Sequence, residues 1–349
     1  MARRVVVLVT GAGGELGHGL VHRLADAGTA VLGLDLRPLD PEVAGRCAVT
    51  LVGDIRDRHL LERLRSEFEI HTVFHLAAIL STRAEFIPES AHQVNVEGTL
   101  NLLGLAMEEA RWQGRRVRFM FPSSIAVYGL PDLETKRRAG RVAEHAWTLP
   151  VTMYGCNKLY AEHLGRYYGR HYRQLAADEH RRSVDFRAIR FPGLISAFTL
   201  PSGGTSDYAP QMIHAAVQGE PYSCFVREDT RIPFMAMPDA ITALLALTDA
   251  PADRLTSPVY NVRAFNPSAG ELAELTRRAI PGARIAFEPD RHRQRILDSW
   301  PEDVDDALAR RDWGFRPQYD LERALHEYLL PNVRRRYAPP PAGPAAARS

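Results

Sequence analysis

A run of β-branched residues that breaks straight into closely spaced glycines constrains this chain more than any other feature. Val5-Val6-Val7-Leu8-Val9 reads as a short strand buried on both faces. It leads into Gly11-x-x-Gly14-x-x-Gly17 and then an amphipathic stretch (Leu16, Leu20, Val21, Leu24) that Gly28 can terminate. Strand, glycine turn and helix in that order form the context a dinucleotide site requires. Glycines let backbone approach a pyrophosphate, and the helix N-terminus offers free N–H groups and a favourable dipole. Asp35 closes a second apolar run, Ala30 to Leu34, about 20 residues further on, where a carboxylate can bind both ribose hydroxyls. A carboxylate there repels a 2′-phosphate, so NAD is expected over NADP, with Arg37 a mild counter-signal.

The same rhythm continues downstream. Ala48 to Val52, Thr72 to Leu76, Val117 to Phe121 and Asp185 to Arg190 read as further strands. His59 to Phe68, Ser90 to Glu109 and Tyr154 to Tyr172 read as helices. This alternation predicts an α/β fold, a Rossmann-type doubly wound parallel sheet with helices on both faces. Leu130 to Leu149, with prolines and Lys136-Arg137-Arg138, reads as an exposed excursion; the basic cluster is short and lacks interleaved aromatics, so it is not read as a nucleic-acid patch. Gln174 to Ser183 is a charged connector. Beyond Pro192 the pattern loosens, with helical stretches near Asp239–Leu247, Ala269–Ala279 and Leu321–Leu329. The expected division is an NAD-binding domain over 1–191, with 239–250 packing back on it, a smaller substrate lobe over 192–337, and a disordered tail over 338–349.

Charge and composition narrow the class. A net charge of +2 gives no strong pull toward nucleic acid or anionic membrane. No apolar run approaches spanning length, and the apolar start leads into glycines instead of a cleavage site. Three widely spaced cysteines (Cys47, Cys156, Cys224) argue against a disulfide framework or zinc site, which points to a cytoplasmic protein with free thiols. No metal-ligand spacing is read among the 13 histidines, and no metal is expected.

Tyr154-Gly155-Cys156-Asn157-Lys158 carries the chemistry. On a helix, residues four apart share a face, so phenol and ammonium lie side by side as a candidate general base, or as an ordinary surface pair. The 44 basic residues include just two lysines, Lys136 and Lys158, so at this spacing the chain keeps the compact cation that arginine cannot mimic. Ser123-Ser124 stand at the carboxyl end of a central strand, where open α/β sheets bind ligands; such a serine hydrogen-bonds a substrate oxygen or caps a turn. Asp54-Ile55, after the third strand, contact adenine or form a strand-end turn. His75 reads as a satisfied structural histidine, Trp300 as packing, Cys156 as without a role, and Tyr208 as core or lid.

Gly11-x-x-Gly14-x-x-Gly17, His75-x-Ala77-Ala78, Ser123-Ser124 with Val127-Tyr128-Gly129, and Tyr154-x-x-x-Lys158 follow one another as in the extended short-chain dehydrogenases/reductases, which this chain resembles over roughly 4–335. Three stretches resemble the short-chain type of L-threonine 3-dehydrogenase. They are Ala77 to Ser81, Arg190 to Ser196 running on to Gly203 through Ala209, and the group Glu288-Pro289-Asp290, Asp298-Ser299-Trp300-Pro301 and Asp312-Trp313-Gly314-Phe315. Nucleotide-sugar epimerases and dehydratases, the alternative, usually carry an asparagine where this chain has Pro192-Gly193. The departures are a long Ser124–Tyr154 separation, the Gln174–Ser183 insertion, and Ser206 where a second threonine is usual.

The resemblance implies Ser124, Tyr154 and Lys158 as catalytic residues, with Lys158 lowering the tyrosine pKa and threonine becoming 2-amino-3-oxobutyrate. It implies NAD contacts at Gly11, Gly14, Glu15, Leu16, Gly17, Asp35, Asp54, Ile55, Leu76, Ala77, Ala78, Asn95, Tyr154, Lys158 and Pro192. Asn95 either braces the site through backbone contacts or is simply buried. Substrate contacts fall on Ser81, Ser124, Tyr154, Gly193 and Thr205; for Ser81 and Thr205, loop capping is an equally good account. A homodimer through the helices bearing Asn95 and Tyr154 is also implied.

Overall fold

The structure is a computed structural model describing residues 3–176, 184–201 and 204–338; most of the charged connector and nearly all of the tail fall outside these. Seven parallel strands form one sheet: β1 (Arg4–Thr10), β2 (Val31–Asp35), β3 (Val49–Val52), β4 (Phe68–His75), β5 (Val117–Ser124), β6 (Val184–Phe191) and β7 (Val259–Asn261). Their order is β7-β6-β5-β4-β1-β2-β3, so the winding reverses between β1 and β4. That reversal opens the crevice where such sheets bind ligands.

The valine run of β1 supplies both faces. Val6 and Leu8 pack with Leu32, Ile70 and Phe119 on one side. Val7 and Val9 pack with Leu20, Val21, Phe74 and Met120 on the other. Four helices flank the sheet where they bear on the site: α1 (Glu15–Asp26), α2 (Gly98–Gln113), α3 (Met153–Arg170) and α4 (Met237–Asp249). α4 lies against α1 and β6. There the buried Arg187 of β6 donates to the carbonyls of Leu247, Thr248 and Ala250 at 2.5, 3.1 and 2.7 Å, placing a cation on the helix's negative end.

The structure departs from the sequence expectation in four places. The helix expected over Ser90–Glu109 is a short helix (Pro88–His92), a widened π turn (Gln93–Glu97) and then α2. β4 starts at Phe68, four residues early, because Phe68 and Ile70 alternate into the core. β7 was not expected at all; its three residues are a strand because β6 pairs with them.

The fourth correction is the excursion over Leu130–Leu149. Asp132 caps a helix over Leu133–Ala139, accepting from Thr135 N at 2.7 Å, and Arg141–Val142 pairs in parallel with Asp303–Val304. Leu130, Lys136 and Val142 are buried, so the segment is built into the fold instead of exposed on it. Lys136 donates to the Leu297 carbonyl at 2.9 Å, and burial lowers its pKa to about 8. Its neighbour Arg137 is exposed and reaches Asp229 at 3.5 Å. Lys136→Ala should therefore destabilise the fold by about 1–3 kcal/mol through the stranded carbonyl and lost packing, whereas Arg137→Ala should change it by no more than about 0.5 kcal/mol. Urea unfolding of the two variants measures the difference; equal effects would mean that the segment does not depend on the buried amine.

Candidate active site

The glycine turn closes β1 onto the chain leaving β4. Gly11 sits at φ 68°, and a Cβ there would meet Ala77 N at 2.7 Å and Leu76 C at 2.9 Å, so this close approach requires glycine. A Cβ on Gly17 would overlap the carbonyls of Gly11 and Ala12. No side chain caps the first turn of α1, which leaves the backbone at Glu15, Leu16 and Gly17 as an anion cradle. Asp35 lies beside it at the end of β2, accepting from Gly13 N at 3.0 Å. This crowded turn, uncapped helix and flanking carboxylate fit a dinucleotide.

Glu15 looks misplaced in an anion site, but burial, and then the nearby Asp207, raise its pKa to about 7, which favours the uncharged acid. Asp54 stands at the end of β3 with its carboxylate held by Arg56, which donates from Nη2 at 2.7 Å. The side chain of Ile55 is buried against Gly98.

A buried hydroxyl–imidazole chain sets the path of residues 76–80. Thr99 donates to Asn95 O at 2.6 Å, so it accepts from His75 Nε2 at 2.9 Å, and His75 Nδ1 then accepts from Thr10 at 3.0 Å. Thr10 Oγ1 in turn accepts from Ala77 N at 3.3 Å. Burial drives the His75 pKa to about 3, so the ring is neutral and structural. Asn95 clamps the same segment, accepting from Ile79 N at 2.8 Å and donating to Ile79 O at 2.9 Å, with Asn157 Oδ1 a further acceptor at 3.3 Å. Its amide thus braces the loop ahead of Ser81.

On the far side of the crevice, Thr152 caps α3 through Gly155 N at 3.1 Å and starts the helix one residue before Tyr154. Ser124, at the end of β5, accepts from Ala126 N at 3.2 Å and hydrogen-bonds the Tyr154 phenol. Lys158 is buried, donates to Pro122 O at 2.7 Å, and lies 4.5 Å from the Phe121 ring and 5.5 Å from that of Tyr154. The two share a helix face as expected, and burial acts on both. Burial raises the Tyr154 pKa, and the hydrogen bond from Ser124 is what opposes it. Lys158 is itself pushed down to about 7 by burial, against the pull of the Glu162 carboxylate.

Glu162 continues the stripe one turn beyond Lys158 and was not singled out from the sequence, because acid–base pairs at this spacing are common on helix surfaces. Here it is buried and accepts from Ser123 at 2.5 Å and from Arg190 at 2.6 and 2.8 Å. Arg190 also donates to Tyr128 at 2.9 Å and to Glu144 O at 2.6 Å, and Tyr128 donates to Asn261 Oδ1 at 2.7 Å. The network joins β5, α3, β6, β7 and the built-in excursion behind Ser124.

Ser81 and Thr205, 124 positions apart, meet: Thr205 donates to Ser81 Oγ from its hydroxyl at 3.0 Å and its backbone at 3.3 Å. The helix that Ser81 opens packs on α3, where Glu85 accepts from Met153 N at 2.7 Å. Pro192 and Gly193 are buried, and Gly193 N is committed to Pro233 O at 3.0 Å, so Gly193 contributes shape without a free amide. Tyr208 is core, edge-on to Phe225 and Phe234, and Trp300 is buried packing. Cys47, Cys156 and Cys224 are free thiols.

Sheet order, uncapped glycine turn and strand-end carboxylate define a dinucleotide-binding α/β protein of the Rossmann type. The chain belongs to the NAD dependent epimerase/dehydratase family, whose model matches residues 7–262. It is similar to the mitochondrial L-threonine 3-dehydrogenase of Bos taurus, 34% identical over 332 residues that cover 93% of this chain and 81% of the relative. Among solved structures it is similar to a monomeric L-threonine 3-dehydrogenase from a metagenome, with 36% identity, TM-score 0.83, and coverage of 95% of this chain and 100% of the other. A GalE-like L-threonine dehydrogenase of Cupriavidus necator in its holo form matches at 35% identity and TM-score 0.82, covering 95% and 99%.

The buried ammonium has a measurable consequence. The Lys158 pKa is lower folded, at about 7, than its ordinary 10.5. Between those values the unfolded chain binds more protons, so this group makes stability rise with pH. Lys158→Met removes that rise. Urea unfolding at pH 7 and at about pH 9.5 should show a larger gain for wild type than for the variant; equal gains would mean that Lys158 titrates normally.

Proposed function

We propose that the protein oxidises the β-hydroxyl of a small hydroxy amino acid, foremost L-threonine to 2-amino-3-oxobutyrate, with NAD as hydride acceptor. The observation that carries this reading is the Ser81–Thr205 contact beside the helix bearing Tyr154. It gathers neutral hydroxyls suited to a small carboxylate close to a proton-accepting phenol. The relatives named as L-threonine 3-dehydrogenases support the same choice.

Bound NAD supplies the hydride acceptor and, when oxidised, a fixed positive charge. The glycine turn and Asp35 would hold the dinucleotide, with Lys158 a further residue to bind it beside Tyr154. Tyr154 takes the proton of the substrate hydroxyl as that carbon becomes a carbonyl. Ser124, already bonded to the phenol, donates to the reacting oxygen and orients it. Burial favours the neutral phenol over the phenolate, so proton transfer depends on positive charge brought close to it.

Residues 1–191 with 239–250 form the cofactor half, and 192–337 the substrate lobe. Free thiols at Cys47, Cys156 and Cys224 support work in a reducing compartment such as the cytoplasm. Exposed Leu100 on α2 and Tyr160 and Tyr167 on α3 suit a homodimer through these helices.

Tyr154→Phe should lower turnover at least about a hundredfold while NAD affinity is retained. The assay is NADH formation with L-threonine, its stereoisomers, L-serine and other β-hydroxy acids. A signal from none of these, with a nucleotide-sugar interconverted and NAD retained through gel filtration, would replace this reading with an epimerase. Asp35→Ala should shift the NAD-to-NADP preference toward NADP, since the carboxylate no longer repels a 2′-phosphate; an unchanged ratio of kcat/KM values would show that Asp35 does not read the ribose.

A further inference from the structure

The first turns of α1 carry two imidazoles that the cofactor site does not use. His18 and His22 are four residues apart, on one helix face, with ring centroids 4.9 Å apart. Glu42, on the short helix Pro41–Ala44, faces them from the segment that follows Asp35. One ligand atom from each of the three lies within 4.8 Å of the others, the one such group among the described residues. From the sequence, no metal-ligand spacing is read among the histidines; the fold adds Glu42 to this pair.

We infer that His18, His22 and Glu42 form a site for one divalent transition-metal ion of the zinc class, on the flank of the dinucleotide turn. Two geometric facts point to a cation. The Nε2 atom of His22 is buried and has no hydrogen-bond partner. Its distance to Glu42 Oε1 is 3.7 Å, too long for a hydrogen bond. Donors about 2.0–2.1 Å from a tetrahedral ion stand roughly 3.4 Å apart, so the 3.7 Å pair is already near ligand spacing and the set as a whole, within 4.8 Å, must close by about 1.4 Å at most. Two imidazoles and one carboxylate select zinc, cobalt, nickel or copper over calcium or magnesium, and leave a fourth position for water.

Phe198 stacks at 6.4 Å from His18 and shields one side. An ion held here ties α1 to the chain that carries Asp35, and so stiffens the outer wall of the cradle without touching Tyr154 or Ser124.

The test is calorimetric titration of the chelator-treated full-length protein with Zn²⁺, backed by thermal unfolding and by the visible spectrum of the Co²⁺ form. Wild type should bind one equivalent, unfold at higher temperature with Zn²⁺, and give a four- or five-coordinate cobalt spectrum. His22→Ala and the bulkier His22→Gln should each weaken binding at least about tenfold and abolish the thermal shift, and Glu42→Gln should weaken it several-fold. Cys47→Ser and Cys156→Ser should leave it unchanged. The inference fails if wild type takes up no Zn²⁺ up to about 100 µM, if both His22 variants bind as wild type does, or if the cysteine variants are the ones that lose the metal.

Discussion

The ion pair between Glu162 and Arg190, sealed inside the protein, is the interaction on which the geometry of the site depends. Neither charge is near water, so each must be satisfied by the other and by neighbours. Glu162 accepts from Ser123, next to Ser124; Arg190 reaches Tyr128 and Glu144; Tyr128 reaches Asn261. A buried pair of this kind adds little net stability over an apolar pair, but breaking it strands a charge at a cost of about 3–5 kcal/mol. Such a pair fixes positions more than it stabilises. Strand β5 cannot slide relative to α3, nor α3 relative to β6, without leaving one of these groups unpaired. The Ser124–Tyr154 contact inherits its precision from that constraint.

Burial also decides the electrostatics in front of the network. The simple expectation, a phenolate made by an adjacent ammonium, treats the two groups as though charge proximity dominated. In the structure the low-dielectric surroundings act on both, raising the phenol and lowering the ammonium toward their uncharged forms. Glu162 reaches forward from the network to pull Lys158 back toward its charged form. Lys158 therefore sits near its charge transition at neutral pH, where small changes in the surrounding field alter its protonation most. The same argument covers Glu15, which burial and Asp207 hold near neutrality beside a phosphate cradle.

What the sequence disclosed follows from how local each signal is. The β1 valines, the glycine turn and Asp35 are set by near neighbours, and they were legible. So was Tyr154-x-x-x-Lys158, because helix periodicity puts both on one face. Glu162 has the same periodicity, yet its partners Ser123 and Arg190 are 39 and 28 residues away, and only the fold reveals them. β7 is a strand because β6 pairs with it, which no three-residue composition could announce. Lys136-Arg137-Arg138 looked like a solvated charge run; alternation about the helix axis buries the first and exposes the others. His18 and His22 were passed over because a histidine pair carries no meaning until Glu42 is brought to it.

The contact between Ser81 and Thr205 joins two parts of the chain that are positioned independently. Ser81 follows β4 of the sheet, and its path is set by Asn95 and by the Thr10–His75–Thr99 chain. Thr205 belongs to the segment beyond Gly193, which is pinned to Phe234 through a parallel strand pair. Each hydroxyl is thus positioned by a different scaffold, and their 3.0 Å contact exists only when both scaffolds are in register. On the proposed reading, a small substrate held at this contact would draw the two segments together. Asn95 links this contact physically to the phenol, because it clamps Ile79 ahead of Ser81 and also reaches Asn157 on the helix that carries Tyr154, so a shift of one is passed to the other.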